Sequence, residues 1–143
     1  MDELRIRVEP PNQLQGDLVI TVLVNGEVVT NDNYCLDVDS FFSCVGLLEG
    51  TMEFIGSCGV RGCCGEVYKT RTTANSWQWG WPGVIDLEIT WADAYAAAQM
   101  IILAVECLPE EGWVCKELHP RLPFYRDKLE ELKQLAASAQ AET

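Results

Sequence analysis

The chain has 143 residues, with 22 acidic side chains against 10 basic ones and a net charge of −12. That balance repels phosphate backbones, which argues against a nucleic-acid partner, and it steers basic proteins toward the surface. The length suits a single domain over 1–143. The opening MDELRIRVEPP lacks a signal-peptide pattern, and the longest apolar-rich run, 94–105, is too short for a bilayer, so a cytoplasmic protein without membrane association is expected.

Leu4–Glu9 alternates apolar and charged residues, the period-2 pattern of a half-buried strand, and Pro10-Pro11 ends it. Asp17–Val24 and Glu27–Thr30 flank Asn25-Gly26, whose two residues suit the positive φ angles of a type I′ hairpin turn. Asn31–Asn33 reads as a loop. Asp39 is then expected to cap a short helix over Ser40–Leu48, with Phe41, Phe42, Val45 and Leu48 as its apolar stripe and Gly50 as its stop. Met52–Ile55 and Glu66–Thr72 read as strands on either side of a cysteine loop, and Ser76–Trp81 as the return strand of a second hairpin.

Val84–Thr90 alternates again. Thr90-Trp91-Ala92-Asp93 is close to a capping box, so a helix should start there and run to about Glu106, burying Trp91, Ala94, Tyr95, Ala98, Ile101, Ile102 and Val105. Pro120 and Pro123 precede a last helix over Phe124–Ala137, with a frayed tail at 137–143. Hairpins first and helices last, without βαβ alternation, predict an α+β fold. It would be a mostly antiparallel sheet of hairpins, one short inserted helix, and two C-terminal helices packed on one face.

The loop GSCGVRGCCG, residues 56–65, admits several chemistries. Cys58 and Cys63 stand at the outer limit of zinc-knuckle spacing, and Cys44 or Cys35 would have to complete the ligand set. Arg61, with Lys69 and Arg71 across the hairpin, could lower a thiol's pKa for redox work, although no C-x-x-C is present. A Cys58–Cys63 disulfide would close only a short loop. The reading adopted is plainer: the glycines allow a tight turn and the thiols are small, reduced fillers. No cofactor is then required.

Phe54, then Cys58-Gly59-Val60-Arg61-Gly62-Cys63-Cys64-Gly65, Val67 and a following Trp77 or Trp79 resemble a motif of small bacterial proteins of uncharacterised function. Many of those carry a further cysteine where Gly56 stands here. The resemblance covers about a fifth of the chain and implies no activity. At the level of class, small acidic α+β proteins of this kind include immunity proteins and antitoxins.

Trp77, Trp79 and Trp81 repeat at period 2, so a strand would set all three on one face, either as a platform for a partner or as a lid on the core. Asp86 and Glu88 alternate with apolar residues and read as a solvated strand face. His119 is the sole histidine, and there is no G-x-S-x-G, phosphate loop or H-E-x-x-H. The sequence therefore points to a non-catalytic, monomeric or homodimeric binding protein that meets a basic protein partner, with Trp79, Trp81, Asp86 and Glu88 as contact residues. Two alternatives stand beside it: a zinc- or thiol-dependent module centred on Cys58 and Cys63, and a homodimer that buries its tryptophans.

Overall fold

The structure, a computed structural model, describes residues 2–9, 19–28, 35–55, 66–81, 85–107 and 117–141. The fold is α+β. Strands β1 (Leu4–Glu9), β2 (Val19–Val24) and β3 (Glu27–Val28) form one antiparallel sheet in chain order. Strands β4 (Cys35–Leu36), β5 (Glu49–Ile55), β6 (Glu66–Thr72), β7 (Ser76–Trp81) and β8 (Ile85–Thr90) form a second. Helix α1 (Val38–Cys44) is inserted between β4 and β5. Helices α2 (Trp91–Glu106) and α3 (Leu122–Ala141) close the chain and pack on each other, with a 3₁₀ turn at His119–Arg121 leading into α3. No helix among the described residues is long and apolar enough to cross a membrane.

The first hairpin turns where its sequence says. Asn25 and Gly26 have φ of 54° and 83°, the left-handed pair that a two-residue type I′ turn needs. Asn25 also works beyond the turn: its Oδ1 accepts the Glu3 amide at 2.8 Å and its Nδ2 donates to Asp2 Oδ1 at 2.9 Å. The two sheets then meet. Asp2 forms a parallel bridge to Ile89, so the start of the chain runs on beside β8, and the Leu4 amide donates to Asp93 Oδ2 at 3.0 Å.

Helix α1 departs from its sequence reading. It begins one residue after Asp37, not Asp39, and ends at Cys44. Gly46, at φ 81°, turns the chain out of it, whereas Gly50 lies inside β5. Leu48, expected in the apolar stripe, is 72% exposed, while Phe41, Phe42 and Val45 are fully buried. Asp39 is left free of capping and instead holds α3. Its Oδ1 accepts Arg121 Nε at 2.8 Å and the Tyr125 hydroxyl at 3.0 Å, and the Tyr125 ring stacks on Phe42 at 4.7 Å. Lys128 Nζ donates to the Val45 carbonyl at 3.0 Å, satisfying one of the acceptors that the end of α1 leaves open. The two-residue strand β4, absent from the sequence reading, pairs with β5 through Leu36 and Phe54.

Helix α2 starts as its capping box requires, with Thr90 Oγ1 accepting the Asp93 amide at 3.1 Å. Trp91, Ala94, Ala98, Ile101, Ile102 and Val105 are buried, and Tyr95 packs against the core part-exposed. Helix α3 begins at Leu122 and continues through Ala141, past the point where a frayed tail was expected. Its last turns are rich in alanine, the strongest helix former, and Ala139 still touches the core. Pro120 and Pro123 sit in the 3₁₀ turn and the first turn of α3, where a missing N–H removes no helix bond.

The centre of the core is aromatic. Trp77 stacks on Trp91 at 5.7 Å and meets Trp79 edge-to-face at 5.3 Å, and Phe41 packs against Trp77 at 5.3 Å. Each such pair adds about 0.5–1.5 kcal/mol beyond the area buried. Trp91 Nε1 donates to the Thr73 carbonyl at 3.1 Å, fixing the β6–β7 turn over the start of α2.

Candidate functional site

The inner face of the five-stranded sheet is spent on this core, so its exposed polar side chains stand on the outer face. Strand alternation puts Met52, Tyr68, Thr70, Trp77, Trp79 and Ile89 inside. It puts Glu49, Thr51, Lys69, Arg71, Gln78 and Glu88 outside. Register then assembles them. Glu49 pairs with Arg71, Arg71 with Gln78, and Gln78 with Glu88, giving one row across four strands. In the next row Thr51 pairs with Lys69 and Lys69 with Gly80, and Gly80 in turn pairs with Asp86. Gly80 contributes no side chain, and around it lies an open hollow of about 750 Å³.

One side of the hollow is acidic. The Glu88 amide donates to Asp2 Oδ2 at 2.8 Å, and Glu88 Oε1 accepts the buried Ser76 hydroxyl at 2.9 Å. The Glu88 amide, with help from Asn25, holds the Asp2 carboxyl below its ordinary pKa. The other side is basic. Among the described residues Lys69 Nζ donates only to Thr51 Oγ1, at 3.2 Å, and Arg71 has no ion-pair partner, although Glu49 stands directly across the ladder.

The residues singled out from sequence fall into three groups. Glu88 is exposed on this face, as expected. Trp79 is not a contact residue: it is 1% exposed and packs inward against Trp77 and Phe41. The cause is visible in the alternation Trp77-Gln78-Trp79-Gly80, which turns both indoles inward and leaves Gln78 and Gly80 to form the outer floor. Trp81 and Asp86 belong to β7 and β8 by their backbone, and their side chains lie outside what the structure describes. Asp2, Glu49, Lys69, Arg71 and Gln78 were not recognised as one site, because only strand register brings them together.

Cys58 and Cys63, with the whole 56–65 loop, lie outside the described residues, as does the Cys35 side chain. Cys44 is buried against Gly50, and burial pushes its thiol pKa up, which makes it a poor nucleophile at neutral pH. Cys107 is exposed. Among the described residues no three His, Cys, Asp or Glu side chains are grouped to hold a metal ion. His119 Nε2 lies 2.7 Å from the Val105 carbonyl, spent on the end of α2. No protein-family model, curated protein or solved structure matches the chain.

Proposed function

We propose that this chain is a non-catalytic binding protein that engages a basic protein partner through the outer face of its five-stranded sheet, in the manner of an immunity protein or antitoxin. The observation that carries the reading is the placement of Asp2, Glu49 and Glu88 around one hollow in a chain of net charge −12. None of the three has a cation bound to it among the described residues. A long-range negative field draws a basic partner in, and the fixed carboxylates set where it lands. Asp86 pairs with Gly80 and so belongs to the same outer row of the sheet, whereas Trp81 shares the strand phase of Trp77 and Trp79 and is not part of this contact region. Trp79 acts from beneath, as part of the aromatic layer that keeps the sheet rigid.

The test is capture. Immobilised protein is exposed to lysate of its own host in low salt, and bound proteins are released by a salt gradient. The reading expects a basic protein that elutes with rising salt and is lost when Glu49 and Glu88 are both changed to Gln. Retention of an acidic or salt-insensitive partner by both forms would count against it.

A further inference from the structure

The two cations on an otherwise acidic face need a separate account. The chain has more than twice as many acids as bases, so a basic side chain seldom lacks a carboxylate neighbour. Elsewhere in the described structure Arg5, Arg121, Arg126 and Lys128 each meet an acid within 4 Å. Among the described residues the exposed Lys133 on α3 does not, and neither do Lys69 and Arg71. They stand two residues apart on one side of β6, so like charges are neighbours, and both line the hollow. A basic group docking there would meet two cations against the one carboxylate of Glu49 across the ladder from Arg71. Gln78, opposite Arg71 on the floor, adds an amide that can donate beside the guanidinium.

We infer that Arg71 and Lys69, with Gln78, form a carboxylate-binding position, and that the partner docking on this face presents an acidic side chain to it beside the basic one it presents to Glu88 and Asp2. The inference rests on the basic-partner reading and narrows it: the face selects a segment of mixed charge and rejects one that is uniformly basic. Arg is suited to the task because its planar donors match a carboxylate, and Lys69 supplies a second charge. The spacing follows from the sheet. Arg71 on β6 and Glu88 on β8 are two inter-strand steps apart, roughly 10 Å, which three residues of extended chain span. A uniformly basic segment would gain at Glu88 and lose at Arg71, so the hollow works by repulsion as well as attraction.

The experiment uses the full chain with ¹⁵N-labelled arginine side chains and the peptide acetyl-Glu-Gly-Gly-Lys-amide. Saturable movement of the Arg71 Nε–Hε resonance is expected, with affinity roughly fivefold weaker for acetyl-Gln-Gly-Gly-Lys-amide. The preference should vanish in Arg71→Gln and weaken in Lys69→Gln. Both positions are exposed, so both variants should fold, and the backbone amide spectrum checks this. Equal response to the two peptides, no response to either, or an unchanged preference in Arg71→Gln would overturn the inference. So would acetate matching the Glu peptide at equal concentration, which would assign the position to free anions. The result is independent of the capture experiment: a failed capture removes the basic partner, and a failed peptide series removes the carboxylate position.

Discussion

Asp2 and Glu88 bind each other twice. The Asp2 amide donates to the Glu88 carbonyl at 2.8 Å, and the Glu88 amide donates to Asp2 Oδ2 at the same distance. The aspartate carboxylate thus does what a carbonyl of a neighbouring strand would do, and it joins the three-stranded sheet to the edge of the five-stranded one. It also fixes the acidic side of the hollow, so one contact links the fold to the proposed recognition surface.

Asp2→Ala should therefore destabilise the protein by about 1 kcal/mol at neutral pH, the usual net value of a part-exposed hydrogen bond. Urea unfolding measures this. Because the folded-state pKa of Asp2 lies below its ordinary value of 3.8, its contribution is present above that pH and fades as pH falls through the lowered pKa. The gap between wild type and variant should close in strong acid. A gap of the same size at both ends of that range would contradict the assignment.

Gly46→Ala should be costly. The residue has φ 81°, where a side chain adds roughly 1–2 kcal/mol of strain, and an added Cβ would run into the Glu131 carboxylate. Glu131 would have to leave Lys128, 3.1 Å away, whose Nζ also holds the end of α1. Thermal melting should show the loss. Adding Glu131→Ala should recover the collision but not the backbone strain, and full recovery would show that the turn tolerates a side chain.

Asp39→Ala removes the acceptor shared by Arg121 and the fully buried Tyr125. Leaving that hydroxyl unpaired should cost about 1–3 kcal/mol and loosen α3 from α1. In the wild type, burial first and Asp39 second raise the Tyr125 pKa above its ordinary value of 10.0. The stability it brings is complete below that value and is lost as pH climbs toward the raised one. Absorbance titration of wild type and Tyr125→Phe should show that the substitution removes a tyrosine that ionises only with alkaline unfolding. If the late-ionising absorbance is the same in both proteins, the contact is not formed.

Alkylation followed by peptide mass mapping should modify Cys107 quickly and spare Cys44 until the protein unfolds, because Cys107 is exposed and Cys44 is buried with a raised pKa. Equal rates at the two positions would mean that the α1–β5 packing opens readily.

Much of the fold could be read from the chain because local chemistry carried it. Asn25-Gly26 named its own turn, Thr90 and Asp93 named the start of α2, and alternation named β1 and β8. Helix α1 was misplaced because Asp37 and Asp39 are equally good caps by residue type. Asp37 stands at the helix start without a side-chain capping bond, and the Asp39 carboxylate is taken up by Arg121 and Tyr125 instead. Helix α3 outlasted its expected end for a similar reason, since Ala139 finds the core only after folding. The proposed contact face was legible at Glu88 alone. The indoles drew attention because tryptophan dominates many contact surfaces, yet the polar residues interleaved with them already said that Trp77 and Trp79 face inward. Asp2, Glu49 and Arg71 carry no sequence signal as a group, for their meeting is set by the register of four strands and a bridge from the chain's first residues.

One titration tests the proposed contact face most directly. The captured partner is measured calorimetrically against wild type and against the Glu49→Gln/Glu88→Gln variant, each at low and at physiological salt. A basic partner whose affinity falls at least tenfold in the variant, about 1.4 kcal/mol, and whose binding weakens with salt mainly in the wild type is the result expected. Equal affinity for both proteins, with the same salt dependence, would place recognition elsewhere on the molecule and contradict the proposed face.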